Sequence, residues 1–116
     1  MGKDLIDVHT RSAKDAVVID VKGQVDLFSS PKLRTAILAA VNTPQLTRVA
    51  INLSEVSYMD SSGIASLVEG LQHARGKKLL LVLFGLQQGP REVLELARLD
   101  KIFTIRPTEL EALADQ

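Results

Sequence analysis

Residues 49–64 read Val-Ala-Ile-Asn-Leu-Ser-Glu-Val-Ser-Tyr-Met-Asp-Ser-Ser-Gly-Ile. The stretch opens on an apolar run, Val49 to Leu53, with the composition of a strand. At its far end Ile64 begins a different spacing, continued by Leu67, Val68 and Leu71, which follows one face of a helix. The heptapeptide Tyr58 to Ile64 therefore sets an acid, two hydroxyls and a glycine where a strand hands over to a helix. In α/β proteins, ligands, partners and modifying groups are met at such turns.

Working outward, the alternation of strand and helix recurs. Residues 4–9 alternate, with Leu5, Ile6 and Val8 apolar, as a short first strand. Ala16 to Gly23 is a stronger, β-branched strand closed by glycine, and the polar stretch Thr10 to Asp15 joins the two as an antiparallel hairpin. Ser29-Ser30-Pro31 signals a helix start, with Ser30 as cap and Pro31 where no backbone donor is needed. Leu33, Ile37, Ala40 and Val41 share one face of that helix, and Thr43-Pro44 ends it. The second helix runs from Ser61 to Arg75 or so, with Gly76 as its C-terminal cap. Leu79 to Phe84 is an unbroken apolar run, the mark of a strand buried on both faces. Pro90 to Leu99 reads as a helix with Val93, Leu96 and Ala97 inward, Ile102 to Ile105 as a last strand. Thr108 and Glu111 have capping-box spacing and open a terminal helix. The expected fold is α/β: one domain over residues 1–116, with a central, mostly parallel sheet of about five strands, about four helices and right-handed crossovers.

Composition narrows the function. The chain has 116 residues, 46% of them hydrophobic, enough for one core. Aromatic residues make up only 3%, too few to offer stacking platforms to single-stranded nucleic acid. Fourteen basic and fourteen acidic residues cancel, so no net field attracts DNA, RNA or anionic membrane. Without cysteine there are no disulfides, thiolate nucleophiles or Cys-based zinc sites. Met1-Gly2-Lys3-Asp4 lacks the apolar stretch of a secretory signal, and the run Leu79–Phe84 is far short of the ~20 residues of a membrane span. The expectation is a cytoplasmic protein with neither nucleic acid nor membrane insertion in its function.

Catalytic patterns fail one by one. No glycine cluster with a Lys cradles phosphate. Ser61 has Gly63 on one side but Met59 on the other, half of a nucleophile elbow. His9 and His73 have no base or ligand pattern around them, and Glu92 and Glu95 read as a solvated helix face. Glu55, Asp60 and the histidines have no metal-ligand spacing. No enzyme, metal or cofactor is expected.

Asp60-Ser61-Ser62-Gly63 remains. It can be read as a helix start alone, since Asp and Ser are favoured caps. Three features argue for more. One cap needs one oxygen, yet three polar residues stand here. Gly63 in the first turn costs roughly 0.8–1 kcal/mol of helix propensity relative to Ala, which suits a close approach by backbone or partner. Met59, beside the polar turn, belongs either to the core or to a contact surface. Asp26, in Gly23-Gln24-Val25-Asp26, is either a turn residue bonding its own backbone or a contact group.

Taken in order, Gly23-Gln24-Val25-Asp26, Ser30-Pro31-x-Leu33, the run Asn52 to Ile64 and Lys101-Ile102-Phe103 make the chain similar to STAS domains. More closely it resembles the bacterial anti-sigma factor antagonists of sporulation and general stress response. The resemblance implies that Ser61 is phosphorylated by a partner anti-sigma factor that is itself a serine kinase. It implies that Asp26 reaches the same face, and the expected partner contact is Asp26, Met59, Asp60, Ser61, Ser62 and Gly63; Ser62, a favoured capping residue, is expected to serve as the helix cap that positions Ser61. The unphosphorylated form would bind the anti-sigma factor and free the sigma factor, and a phosphatase would reset the phosphorylated one.

Physical chemistry supports such a switch. A phosphate adds about −1.5 to −2 charges, which a helix N-terminus favours by roughly 0.3–1 kcal/mol. At a docked surface a like-charge contact costs several kcal/mol, so the complex breaks before the domain does. Two stretches depart from the pattern: Ala65-Ser66-Leu67-Val68-Glu69, where many antagonists have further glycine, and Ala97-Arg98-Leu99-Asp100, where a Ser-Gly-Leu is usual. The run Glu92 to Leu99 also resembles cytoplasmic STAS subunits of bacterial phospholipid-transport ABC systems, whose partners would be a permease and an ATPase.

Overall fold

The computed structural model describes residues 6–114. They form β1 (Ile6–Ala13), β2 (Ala16–Val25), α1 (Ser30–Val41), β3 (Arg48–Met59), α2 (Ser61–Gly76), β4 (Leu80–Phe84), α3 (Gln88–Leu96), β5 (Thr104–Arg106) and α4 (Glu109–Ala114). The five strands lie in the sheet in chain order. β1 and β2 are antiparallel; β2 to β5 run parallel. Each crossover thus steps one strand in the same direction, and right-handed crossovers of that kind lay their helices on one face.

The core records this layering. Ile19, Ile51 and Leu83 are register partners across β2, β3 and β4, and they pack with Leu33 and Ile37 of α1, Leu67 and Leu71 of α2 and Leu94 of α3. The alternate residues Val18, Ala50 and Val82 point the other way and join Phe84 and Ala112 of α4 in a second, smaller cluster. A strand between two covered faces must be apolar on both, which is why β4 reads as a continuous run.

Several boundaries differ from expectation. β1 continues to Ala13, so the hairpin turn is only Lys14-Asp15, with Lys14 at φ 59°; the Leu5 assigned to this strand lies outside the described residues. β2 does not stop at Gly23: the ladder slips there and runs on to Val25. β3 likewise continues from Leu53 to Met59, its outward Ser54, Glu55, Ser57 and Tyr58 exposed and its Val56 and Met59 buried. α1 is preceded by Ser29, not capped by Ser30, and Ser29 makes no capping bond. Gly76 is the last residue of α2; Lys77 follows as its cap and the left-handed backbone falls on Lys78. In α3 the buried residues are Pro90 and Leu94 and the expected Val93 packs against the core, whereas Ala97 and Leu96 are exposed, Leu96 to 86%, because the face that meets the sheet is centred on Pro90, Val93 and Leu94. β5 begins at Thr104, leaving Ile102 in the preceding turn. The capping-box spacing at α4 is half used: Thr108 Oγ1 accepts the Glu111 N–H at 3.2 Å.

The first turn of α4 is tied to the sheet by the Arg11 guanidinium. Arg11 donates to both Asp20 carboxylate oxygens (2.7 and 3.1 Å) and to both of Glu109 (2.9 and 2.6 Å). These bonds outweigh burial and hold both carboxyls below their ordinary range. A depressed carboxyl contributes stability above its unfolded pKa and loses it as pH falls through the folded value. Hydrogen exchange of residues 109–114 should therefore accelerate as pH drops below the ordinary carboxylate range, after correction for intrinsic rates. In Arg11→Met it should already be fast at neutral pH.

The helix pair α1–α2 makes a sharper prediction. A methyl group on Gly70 would stand 2.4 Å from Ile37 Cγ2 but 3.6 Å from Ile37 Cβ. Gly70→Ala should thus lose stability despite gaining about 0.8–1 kcal/mol of helix propensity. Ile37→Ala should cost about 2–5 kcal/mol by cavity formation. In urea unfolding the double variant should lose less than the sum, because the alanine at 70 fills space vacated at 37.

Candidate functional site

The two neighbouring parallel strands β2 and β3 end together. Val25 is the register partner of Met59, and the Asp60 N–H donates to the Val25 carbonyl at 3.0 Å. The turns that follow, residues 26–29 and Asp60, therefore rise side by side at the C-terminal end of the sheet, where α1 and α2 begin.

Asp60 is the N-cap of α2, in extended conformation. Its Oδ1 accepts the Ser62 N–H at 2.9 Å, the Gly63 N–H at 3.4 Å and the Ser62 hydroxyl at 2.6 Å. The Ser62 hydroxyl is the main reason its carboxyl lies below the usual carboxylate range; the N–H groups of Ser62, Gly63 and Leu27 add to it against burial. Ser62 is thus not the cap expected of it. It has no helix end to satisfy because the Asp60 side chain, one residue before the helix, already holds the orphan donors.

Ser61 occupies the first position of α2 and is exposed. Its hydroxyl has no hydrogen-bond partner among the described residues. Gly63 is buried: a methyl there would stand 2.6 Å from Met59 Cγ and 2.7 Å from Val25 Cγ1. The close approach that this glycine allows is by the core, and Met59 itself is only 1% exposed. Of the two places open to Met59, the structure puts it in the core, and Gly63 packs directly on it. They support the turn from beneath.

Asp26 shows the local role open to it. Its Oδ1 accepts the N–H groups of Phe28 and Ser29, each at 3.0 Å, while its own N–H donates to Ser29 Oγ at 2.9 Å. Ser29 Oγ donates in turn to the Gln24 carbonyl at 2.9 Å. The residues between, Leu27 and Phe28, are the ones that sequence reasoning passed over. Both stand out from the turn. The available signal was two bulky apolar residues set between Asp26 and Ser29-Ser30-Pro31, outside any strand or helix period. Ser66, buried, bonds the carbonyls of Ser62 (3.2 Å) and Ser30 (3.4 Å) and so ties the starts of α1 and α2 together.

Two observations bear on other chemistry. Among the described residues, no group of three or more His, Cys, Asp or Glu is placed to hold a metal ion. No described helix is long and apolar enough to cross a membrane.

Residues 7–112 match the family model of the STAS domain. The chain belongs to the STAS domain family. An anti-sigma-B factor antagonist of Listeria monocytogenes is 34% identical over 106 residues, 91% of each chain. The crystal structure of an anti-sigma factor antagonist from Mycobacterium paratuberculosis matches with a TM-score of 0.85 at 28% identity, over 94% of this chain and 92% of that one. The Bacillus cell fate determinant SpoIIAA shares the STAS fold in both its forms. TM-scores are 0.72 for the unphosphorylated and 0.72 for the phosphorylated protein, at 21% and 22% identity, over 93% of this chain and 96% and 97% of those.

The cap of this STAS domain has a measurable signature. Asp60→Ala should cost about 0.5–2 kcal/mol near neutral pH. Because the folded Asp60 carboxyl lies below its unfolded value, that difference should persist above the ordinary carboxylate range and shrink as pH falls through the folded pKa. Denaturant unfolding of both proteins across an acid series measures it.

Proposed function

We propose that this STAS domain is an anti-sigma factor antagonist, acting in the cytoplasm, whose partner is an anti-sigma factor with serine kinase activity. In the unphosphorylated form it docks on that partner through the β3–α2 turn and so releases a sigma factor. Phosphorylation of Ser61 ends the docking, and a phosphatase restores it. In the transfer Ser61 Oγ bonds to the γ-phosphorus of ATP, ADP leaves, and the hydroxyl proton passes to a base of the kinase.

One observation carries the reading: among the polar groups of the turn, the Ser61 hydroxyl alone is exposed and unbonded among the described residues, while Asp60 and Ser62 are bonded to each other. A phosphoryl group can be attached there without breaking an internal bond. The helix N-terminus favours its charge by roughly 0.3–1 kcal/mol, and Asp60 next to it opposes part of that gain. The likeness to both forms of SpoIIAA fits a fold that tolerates the modification. At a docked surface the same charge meets desolvation and repulsion worth several kcal/mol.

With the cognate kinase and ATP, intact mass should rise by one phosphate, and the gain should vanish in Ser61→Ala. Ser61→Asp should weaken binding to the kinase by about 30-fold or more, the equivalent of ~2 kcal/mol, while Ser61→Ala still binds. Equal binding of all three proteins would refute the switch. Co-purification with a membrane permease and ATPase, without phosphate, would establish instead the transporter-subunit role implied by the Glu92–Leu99 resemblance.

A further inference from the structure

We infer that Leu27 and Phe28 are the apolar anchor of this docking surface, received by an apolar hollow on the partner protein whose rim carries Lys or Arg. The inference rests on the proposed role of Ser61 and names what that role leaves open, the groups that hold the partner before the phosphate expels it.

Leu27 is 69% and Phe28 86% exposed, and neither joins a core cluster. Single exposed apolar side chains are ordinary on protein surfaces. Leu96 on α3 and Leu110 on α4 are of that kind, each on a separate element. Leu27 and Phe28 differ in being adjacent, and in being displayed by a turn that is fixed on every side. Asp26 Oδ1 holds the N–H groups of Phe28 and Ser29, Ser29 Oγ is bonded to Gln24 and Asp26, and the Ser30 N–H donates to the Asp26 carbonyl at 2.8 Å. A side chain held out by a prearranged backbone loses little freedom on binding, and aromatic residues so placed dominate interface energetics.

The pair is continuous with the switch. The Asp60 N–H donates to the Val25 carbonyl at 3.0 Å, so the turn that carries Leu27 and Phe28 starts beside the residue that caps the helix on which Ser61 sits. Tyr58, half exposed and paired with Gln24, adds a second aromatic side chain near the same end of the strands. The two carboxylates in this surface, Asp26 and Asp60, call for a cationic rim on the partner. The arrangement also gives the phosphate its leverage. An apolar anchor binds by excluding water, and a phosphate at the neighbouring turn brings water and charge back into the seam.

The test uses the anti-sigma factor kinase that phosphorylates Ser61, titrated with wild type, Leu27→Ala, Phe28→Ala, Phe28→Leu and Ser61→Asp. Phe28→Ala should weaken binding by about tenfold or more and Phe28→Leu by much less, as an apolar anchor requires. Thermal midpoints should stay at the wild-type value, since both side chains lie outside the core. If Leu27→Ala and Phe28→Ala bind like wild type while Ser61→Asp does not, the anchor is refuted and the Ser61 switch stands. If no kinase binds or phosphorylates the wild type, the switch fails and the anchor with it. Concentration-dependent dimerisation that Phe28→Ala abolishes would assign the pair to a second copy of the chain and overturn the inference.

Discussion

The parallel ladder between β2 and β3 is the constraint from which the rest follows. It begins at Ala16 and Arg48 and reaches Val25 and Met59, so two strands of different origin end level with each other. Because the Asp60 N–H then bonds the Val25 carbonyl, the first residues of two separate crossovers are locked at one corner of the sheet. Everything that makes this corner chemically distinct is inherited from that register. A slip of one residue would turn Met59 outward and Tyr58 inward, since successive strand residues face opposite sides.

Within the corner, polar groups divide between holding the structure and facing solvent. Asp60, Asp26 and Ser29 each accept backbone N–H groups within a few residues of themselves, and the Ser62 hydroxyl donates to the Asp60 carboxylate. Gly63 and Met59 are packed beneath. What faces outward is small: the Ser61 hydroxyl, the Leu27 and Phe28 side chains, Tyr58 and the second oxygens of the Asp26 and Asp60 carboxylates. Within residues 58–64, Asp60, Ser62, Gly63 and Met59 are thus taken up by the support of the turn, and the Ser61 hydroxyl is left exposed.

Much of this was legible in the sequence, for physical reasons that vary by element. β4, α1 and α2 could be read because burial imposes a period on their side chains, and the order of elements fixed an α/β sheet with parallel crossovers. The ends of β2 and β3 were not legible: Ser54 to Met59 is mostly outward-facing, so its strand character comes from pairing with β2 rather than from local preference. Asp60 and Ser62 are both good caps, and only the extended backbone of Asp60 decides between them. In α3 the apolar residues Val93, Leu94 and Leu96 span more than one face, and only packing against the sheet decides that Leu94 is buried and Leu96 exposed. The Arg11 clamp joins residues 98 positions apart, and no short-range pattern announces such a pair.

The seat of α4 has a practical side. Leu110, Leu113 and Ala114 share a hollow with Ala16, Arg48 and Leu80, the first residues of β2, β3 and β4. Arg48 reinforces the seat through the Ala112 carbonyl. The molecule therefore has a polarity along its strands, with helix α4 anchored at one pole and the Ser61 turn at the other. A fluorophore, a surface tether or a fused domain attached at the α4 pole would leave the Ser61 turn at the opposite pole facing outward.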